Sequence, residues 1–383
     1  MNYRRLGKTG LMVSEIGFGA EWMERHTAEE CKAVLIRAEK LGINILDCWM
    51  SNPEVRDSLG QALAGRRERW YIQGHIGSTW QGGQYTRTRD VGKCKEAFED
   101  LLVRLGTDYI DLGMVHYVDR DWDDATSGPF WDYVQELKAA GSIHHIGMST
   151  HNPDMAKRAA ESGLFEMILF SVNPAFDMHP PCDDLDTYFA VEDYREDLNG
   201  IDQVRAEVYR LCEQNDVGIT VMKPYAGGRM LDKKRSPFGV ALTPVQCIHY
   251  CLTRPAVASV LAGYDTPDHV EQAVAYETAS EGEKDYASVL AHAPKHTFGQ
   301  GECTYCGHCR PCPVNIDIAM VNKFYDLASM QPDVPASVRA HYEALEHHAD
   351  ECIGCKACEG RCPFGVKIAE RMVKAAELFR AGR

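Results

Sequence analysis

Apolar residues follow two alternating spacings from residue 14 to about residue 280. Short β-branched and aromatic runs are separated by segments in which apolar residues recur at helical spacing, as in Cys31, Val34, Leu35, Ala38 and Leu41. The predicted strands cover residues 14–20, 44–50, 70–77, 109–118, 144–151, 166–173, 218–225 and 257–264. Because a helical pattern follows each strand, the sequence predicts the α/β class and a (β/α)8 barrel. An open doubly wound sheet is the alternative, but no glycine-rich dinucleotide turn follows the first strand.

Three segments depart from this alternation. Residues 77–90 and 173–200 are long excursions from the predicted carboxyl-terminal face of the barrel. We expect them to wall a substrate site, because that face carries the chemistry of such barrels. Residues 281–300 are polar and predict a linker between a barrel at 1–280 and a second domain at 301–383.

The charge of the chain narrows its class of partner. The formal net charge at pH 7 is −15, which argues against nucleic acid and anionic membranes. No apolar run approaches the roughly 18 residues of a membrane span. The N-terminus leads into a segment interrupted by Glu15 and not into the apolar core of a signal peptide. We therefore expect a soluble cytoplasmic protein.

Cysteine is concentrated near the C-terminus. The chain has 15 cysteines, and those that lie beyond residue 302 form two short runs, at 303–312 and 352–362. Because nothing directs export to an oxidising compartment, these clustered thiols predict metal ligands and not disulfides.

The spacing of the two runs predicts iron–sulfur clusters. Residues 352–363 have the C-x2-C-x2-C-x3-C-P spacing of bacterial ferredoxins, and 303–313 have a version one residue shorter. The fourth Cys of such a run binds the neighbouring cluster. The predicted ligands are Cys303, Cys306, Cys309 and Cys362 for one [4Fe–4S] cluster, and Cys352, Cys355, Cys358 and Cys312 for the other. Two zinc knuckles are the alternative, but zinc sites usually take two separated pairs of ligands. Helix-like runs at 318–327 and 338–345 predict a mainly helical ferredoxin-type domain.

The segments NYRRLGKTGLMVSEIGFGA, YIDLGMVHYV, SIHHIGMSTHNP and VMKPYAGG resemble those of the aldo/keto reductases. The whole chain is similar to the subgroup of that family that carries a C-terminal ferredoxin-type domain. The resemblance implies a (β/α)8 barrel whose N-terminal hairpin, residues 3–13, closes the bottom. It also implies NAD(P)H-dependent carbonyl reduction by a tetrad of Asp, Tyr, Lys and His.

Only part of that tetrad is present. Asp47 and His116 match the family's aspartate and histidine. The tyrosine position holds Asn52, and the third strand reads Ile-Gln-Gly-His at 72–75 where it should end in lysine. An asparagine amide can hold a substrate oxygen by a hydrogen bond, but it cannot supply the proton that tyrosine gives.

We therefore expect His75 to act as the general acid or base, oriented by Asp47, with His116 as a second donor to the substrate oxygen. The same trio has the composition of a metal site, and a lone His75 could merely bond to a core carbonyl. Tyr85 and Tyr117 are the rival proton donors. Tyr117 is expected to point away from the barrel interior, because neighbours along a strand alternate.

The implied nicotinamide site is altered as well. The family's asparagine, glutamine and stacking aromatic are replaced by Thr150, Leu169 and Met222. The remaining candidates for cofactor binding are Ser149, Lys223, Gly227, Gly228 and Gly263. Lys223 could contact phosphate or merely extend to solvent. Acidic Asp265 and Asp268 lie where a basic residue would bind the 2′-phosphate, so NAD is favoured over NADP.

Three functions follow from these patterns. The first is an iron–sulfur oxidoreductase whose barrel reduces or oxidises a small carbonyl or hydroxyl compound, with clusters that pass single electrons to or from a ferredoxin- or flavodoxin-like partner. The second is a redox-neutral isomerase or dehydratase with structural clusters. The third is an electron-carrier subunit of a larger complex. Trp49, Trp80, Arg87 and Arg89 suggest an aromatic or anionic substrate.

Overall fold

The chain folds as a closed barrel of parallel strands with an attached helical domain, in a computed structural model that describes residues 1–190, 194–195, 197–296, 301–330 and 332–380. Its strands there are β1 (Tyr3–Arg5), β2 (Met12–Ser14), β3 (Ile16–Gly19), β4 (Ile45–Cys48), β5 (Tyr71–Ile76), β6 (Ser78–Gln81), β7 (Gln84–Arg87), β8 (Ile110–Val115), β9 (Ile143–Thr150), β10 (Met167–Ser171), β11 (Gly218–Met222) and β12 (Val257–Gly263). The barrel runs in the order β3, β4, β5, β8, β9, β10, β11, β12 and back to β3. Each barrel strand overlaps one of the predicted runs, with β9 beginning one residue before its run, and the closed parallel barrel confirms the (β/α)8 prediction.

Amphipathic helices cover the barrel. The helices of the described residues are α1 (Ala28–Lys40), α2 (Pro53–Leu63), α3 (Val91–Leu105), α4 (Trp122–Thr126), α5 (Gly128–Ala139), α6 (Pro153–Ser162), α7 (Pro174–Asp177), α8 (Gln203–Gln214), α9 (Pro244–Leu252), α10 (Pro267–Val274), α11 (Tyr286–Ala291), α12 (Ile318–Ser329), α13 (Ala336–Glu343) and α14 (Ile368–Arg380). Helix α1 begins at a capping box, in which Thr27 accepts from the Glu30 amide and the Glu30 carboxylate accepts from the Thr27 amide. Across this described part of the chain, no helix combines the length and apolar character that crossing a bilayer requires.

The N-terminal hairpin closes the amino-terminal end of the barrel. Strands β1 and β2 pair antiparallel, and Leu6 and Val13 pack against the inward side chains of the barrel strands. Gly7 allows this approach, because it has a φ of +49° and a Cβ at this position would lie 2.2 Å from the Gly218 nitrogen. The hairpin that the family resemblance implied at residues 3–13 is thereby confirmed.

Both predicted excursions lie at carboxyl-terminal strand ends. Residues 77–90 form a second hairpin, β6–β7, directly after β5. Residues 173–200 contain, in their described part, α7 and a 3-10 turn at Leu185–Phe189. Both segments therefore have local structure of their own above the barrel.

The second excursion is fixed by a buried carboxylate. Asp177 is fully buried and accepts hydrogen bonds from Tyr209 Oη (2.6 Å), Tyr250 Oη (2.5 Å) and Arg205 Nη1 (3.3 Å). Arg205 is fully buried too. Since Arg205 and Tyr209 lie on α8 and Tyr250 lies on α9, this cluster ties the excursion to two helices of the barrel.

We expect Asp177→Ala to destabilise the protein by about 3–5 kcal/mol, because it leaves the buried Arg205 charge without its counter-ion. The control is Asp197→Ala, which removes an exposed carboxylate from the same excursion and should change stability by less than about 0.5 kcal/mol. Urea unfolding followed by tryptophan fluorescence measures both. Equal shifts in the two variants would contradict the anchoring role of Asp177.

Residues 281–300, predicted as a linker, contain the packed helix α11. Its Tyr286 and Leu290 are buried, and Tyr286 Oη donates to the Thr304 carbonyl at 3.0 Å. The sequence pattern missed it because six residues hold too few turns to show a helical period. Residues 297–300 lie outside the described part of the chain.

The C-terminal segment is mainly helical, as predicted, and packs on the flank of the barrel. Lys323 of α12 forms an ion pair with Glu213 of α8 (3.0 Å). Arg254, just after α9, donates to the Thr304 carbonyl (2.5 Å). The segment therefore contacts the outside of the barrel near the end that the hairpin closes.

Candidate active site

A cavity of about 540 Å³ lies at the carboxyl-terminal ends of the barrel strands. Its lining includes Asp47, His75, His116 and Ser149 from the strand ends, and Tyr85 and Leu185 from the two excursions. Both excursions therefore contribute to the wall of this cavity.

Asp47 and His75 meet at the strand ends, as the sequence predicted. His75 Nε2 lies 2.9 Å from Asp47 Oδ1, and the same oxygen accepts from Gln73 Nε2 at 2.9 Å. Gln73 is held in turn by Thr220 Oγ1, which donates to its amide oxygen at 2.8 Å. All four side chains are buried, so the carboxylate is oriented from both sides.

The second nitrogen of His75 faces His116 and not the substrate space. The two Nδ1 atoms are 2.8 Å apart. Because the Asp47 carboxylate accepts from His75 Nε2, a neutral His75 has a lone pair on Nδ1 and must accept from His116 Nδ1–H. Burial, and next the neighbouring His75, hold the pKa of His116 well below its usual range, so His116 is neutral at pH 7.

Tyr85 adds a further hydrogen bond to the series formed by His116, His75 and Asp47, and it does so at the cavity wall. Its hydroxyl lies 2.6 Å from His116 Nε2, the nitrogen that carries a lone pair in this arrangement. Burial raises the pKa of Tyr85 to about 12, so the phenol is protonated and donates to His116. Each hydrogen donated in this series therefore points towards the Asp47 carboxylate. We call the four residues the proton chain: Tyr85, His116, His75 and Asp47.

The β6–β7 hairpin positions Tyr85. In its register Tyr85 lies opposite Trp80, and the Gly82-Gly83 turn connects the strands. Trp49 stacks on the His116 ring at 5.9 Å and meets the Tyr85 ring edge-on at 5.2 Å. The sequence carried a signal for this hairpin, because two glycines separate two β-like tetrapeptides. The sequence alone did not reveal that the hairpin folds back over His116.

Two sequence expectations need correction. Asn52, expected to hold the substrate oxygen, is the N-cap of α2, where its Oδ1 accepts from the Glu54 amide (3.0 Å) and its Nδ2 donates to Glu24 (3.2 Å). Tyr117, expected to point away from the barrel interior, lines the cavity. Strand β8 ends at Val115, and Tyr117 has a φ of +50°, so the alternation of the strand no longer applies.

The candidate cofactor residues also line the cavity. Ser149 Oγ accepts from the Tyr117 amide (2.8 Å), so its own proton is available to a bound group. Lys223 forms an ion pair with Glu21 at 2.8 Å, which argues against a free phosphate contact. Gly227 and Gly228 line the cavity with positive φ.

Gly263 has a packing role that the sequence did not indicate. A Cβ at this position would lie 1.9 Å from Trp22 Cδ1, so the glycine makes room for Trp22 on the cavity wall. Asp265 also lines the cavity, and its Oδ1 accepts a hydrogen bond from His26 Nε2 at 3.2 Å. Asp268 lies in the first turn of α10 and is not part of the cavity lining.

The cavity carries side chains that suit a nicotinamide. Leu169, Met222 and Leu261 provide apolar surface beside the Ser149 hydroxyl, which can donate to a carboxamide oxygen. Gly227, Gly228 and Asp265 also contribute to the lining.

The C-terminal cysteines surround two small cavities. One is lined by Cys303, Cys306, Cys309 and Cys362, and the other by Cys312, Cys352, Cys355 and Cys358. Within the described residues, no three His, Cys, Asp or Glu side chains are placed to hold a single metal ion. Thiols arranged around a space, and not around one point, suit a multi-atom iron–sulfur cluster.

Comparisons with known proteins agree with this architecture. The model of the aldo/keto reductase family matches residues 15–243, and that of a 4Fe-4S dicluster domain matches residues 299–366. The uncharacterized oxidoreductase YqkF of Bacillus subtilis (strain 168) is 32% identical over 186 residues, 47% of this chain and 58% of the relative. The NADH-specific methylglyoxal reductase of Escherichia coli (strain K12) is 27% identical over 185 residues, 43% of this chain and 54% of the relative. The matched part thus spans a little over half of these relatives.

A solved structure has the same fold. The holo form of the aldo-keto reductase AKR11C1 from Bacillus halodurans superposes with a TM-score of 0.58 at 24% identity. The match covers 74% of this chain and 94% of that one.

Proposed function

The chain belongs to the aldo/keto reductase family and carries a 4Fe-4S dicluster domain, and on that premise we propose that it reduces or oxidises a small carbonyl or hydroxyl compound in the barrel cavity. The observation that carries the proposal is the proton chain, which ends in a protonated phenol at the cavity wall. Tyr85 supplies the tyrosine that is missing from the family position now held by Asn52.

In its neutral state the proton chain accepts a proton from the substrate. A substrate hydroxyl that donates to Tyr85 Oη can release its proton as the phenol hydrogen moves to His116 Nε2 and the His116 Nδ1 hydrogen moves to His75. The proton is then held on His75 beside the Asp47 carboxylate, where opposite charge stabilises it. This direction serves alcohol oxidation.

In its charged state the proton chain donates a proton to the substrate. When His75 carries both ring hydrogens, its Nδ1–H donates to His116, His116 Nε2–H donates to Tyr85, and the phenol hydrogen is directed to a carbonyl oxygen in the cavity. This direction serves carbonyl reduction. Tyr85 touches the substrate, whereas His75 and Asp47 act through His116.

A bound nicotinamide supplies or receives hydride. Ser149 would hold its carboxamide, Leu169 and Met222 would contact its ring, and Gly227 and Gly228 would lie along the phosphates. The Lys223–Glu21 pair contributes no free positive charge to these phosphates.

The clusters would exchange single electrons with an external partner of ferredoxin or flavodoxin type. Each set of cysteines lines its own cavity, which supports the assignment of Cys303, Cys306, Cys309 and Cys362 to one cluster and of Cys312, Cys352, Cys355 and Cys358 to the other. Helix α9 links the two sites, since its first residue, Pro244, lines the barrel cavity and Arg254, just beyond its end, bonds to Thr304 beside Cys303. Nine residues of helix span roughly 14 Å.

The direct test is an anaerobic assay of the cluster-loaded protein with a panel of small carbonyl compounds that includes methylglyoxal. We expect nicotinamide oxidation that depends on the carbonyl. Turnover of no carbonyl, with NADH, NADPH or a chemically reduced ferredoxin, would contradict the proposal and favour an electron-carrier subunit.

We expect NADH to bind at least as tightly as NADPH. Asp265 lines the cavity where the 2′-phosphate would lie, and its negative charge repels that group. Asp265→Asn should raise the affinity for NADPH more than the affinity for NADH, while the exposed Asp268→Asn changes their ratio less. Fluorescence titration measures both affinities for each of the three proteins, and a clear NADPH preference of the unaltered protein would contradict the expectation.

A further inference from the structure

A second carboxylate–histidine pair lies on the same cavity. Asp119 has 1% of its surface exposed and accepts from His151 Nδ1 (3.1 Å), the His151 amide (2.6 Å) and Thr150 Oγ1 (2.9 Å). Burial alone would raise the pKa of Asp119, but His151 and these hydrogen bonds hold it below its ordinary value. Asp119 is therefore ionised at neutral pH.

This pairing fixes the tautomer of His151. The carboxylate accepts from Nδ1–H, so a neutral His151 carries its lone pair on Nε2. The ring lines the cavity, and within the described residues no hydrogen bond to Nε2 is found. His151 thus presents a basic nitrogen that the proton chain does not use.

Tyr117 lies between the two groups. Its ring centroid is 6.1 Å from that of His116 and 5.4 Å from that of His151. A small molecule whose oxygen contacts Tyr85 can therefore also contact the phenol of Tyr117 and, beyond it, the imidazole of His151. A carbonyl oxygen, a neighbouring hydroxyl and a carbon-bound hydrogen fit these three groups in turn.

We propose that His151, oriented by Asp119, is a second general base of this cavity, that the substrates are α-hydroxy carbonyl compounds, and that the chain catalyses their enolisation. This inference rests on the proposed function, because it uses Tyr85 as the group that holds the carbonyl oxygen.

The step is balanced without an oxidant or reductant. His151 Nε2 takes the hydrogen on the hydroxyl-bearing carbon as a proton, and the electron pair of that C–H bond becomes the new C=C bond. The π electrons of the carbonyl pass to its oxygen, which takes the Tyr85 hydrogen, and the charged proton chain replaces that hydrogen. The product is an enediol, and its collapse returns both protons.

The test is deuterium exchange, followed by proton NMR, into hydroxyacetone, glycolaldehyde and dihydroxyacetone. The cluster-loaded protein is placed in D2O without nucleotide, against a protein-free blank. We expect exchange at the carbon that carries the hydroxyl. His151→Gln should lower the exchange rate about 100-fold or more, while NADH-dependent reduction of the same compounds falls by less than about tenfold.

Two further variants separate catalysis from packing. His144→Gln changes an exposed histidine outside the cavity lining and should leave both reactions unchanged. His151→Ala should recover exchange when imidazole is added, which a merely structural role would not produce.

Each failure has its own signature. Reduction of these probes without exchange, or exchange that His151→Gln leaves intact, overturns the second base and leaves the proposed function standing. Loss of both reactions in His151→Gln, with no recovery of His151→Ala by imidazole, assigns His151 to packing. Exchange without reduction supports the second base and contradicts the oxidoreductase. Neither reaction on any probe overturns the substrate class.

Discussion

Tyr85→Phe is expected to lower kcat/KM for carbonyl reduction by ~100- to 10,000-fold, the usual effect of removing a positioned acid or base. The change removes one oxygen, the atom that lies 2.6 Å from His116 Nε2 and ends the proton chain at the cavity. The ring still contacts Trp49 edge-on, so the hairpin should keep its place. Steady-state kinetics on the cluster-loaded protein measures the loss.

Tyr117→Phe is the matched control for this prediction. It removes the same atom from another tyrosine of the cavity wall, but its ring neighbours His116 without bonding to Nε2. We expect less than about a tenfold loss of reduction. If Tyr117→Phe is inactive and Tyr85→Phe is not, the proton donor is Tyr117 and the chain assigned here is wrong.

His75→Ala tests the middle of the proton chain. It separates Asp47 from His116, so the charged state loses the site that holds the proton. We expect a loss of reduction on the scale of Tyr85→Phe, with both clusters retained. A fully active His75→Ala would return His75 to a packing role.

Cys362→Ser is expected to remove one cluster and leave the other. Cys362 lies far along the chain from Cys303, Cys306 and Cys309 but lines the same cavity. Iron should fall from about eight to about four atoms per chain in anaerobic preparations. Iron analysis with electron paramagnetic resonance of the reduced protein measures the change.

Cys312→Ser should remove the reciprocal cluster, whose cavity it shares with Cys352, Cys355 and Cys358. Cys182→Ser is the control, because Cys182 lies in the second excursion and lines neither cavity. If Cys362→Ser instead removes the cluster bound by Cys352, Cys355 and Cys358, the fourth cysteine of each run binds the cluster of its own run, and the assignment of Cys362 and Cys312 to the opposite clusters is wrong. Stoichiometric zinc in place of iron would refute both clusters.

The barrel could be predicted from the sequence because burial imposes a local spacing of apolar residues on each strand and helix. Each strand that is buried on both faces reads as an apolar run, and each helix carries a stripe at its own spacing. The cysteine spacing was equally informative, since three thiolates two residues apart are a local signal. Helix α11 escaped prediction because one turn and a half carries too little periodicity.

The chemistry of the cavity was only partly predictable. Asp47, His75 and His116 end neighbouring strands, so their meeting follows from the barrel itself. The position of Tyr85 depends on how a hairpin folds back over His116, which no local pattern states. Asn52 was misplaced because alignment gives a position along the chain but not the side chain's partner, here the Glu54 amide.

The central claim is that Tyr85 is the proton donor of the cavity. The measurement that tests it most directly is the dependence of kcat/KM on pH when 3-fluorotyrosine replaces Tyr85, since fluorine lowers the pKa of the phenol while preserving its size. If Tyr85 donates the proton, kcat/KM for reduction on the plateau of the profile must change with the pKa of its phenol, because the rate of proton donation depends on the strength of the acid. An unchanged plateau in an active protein would contradict the claim.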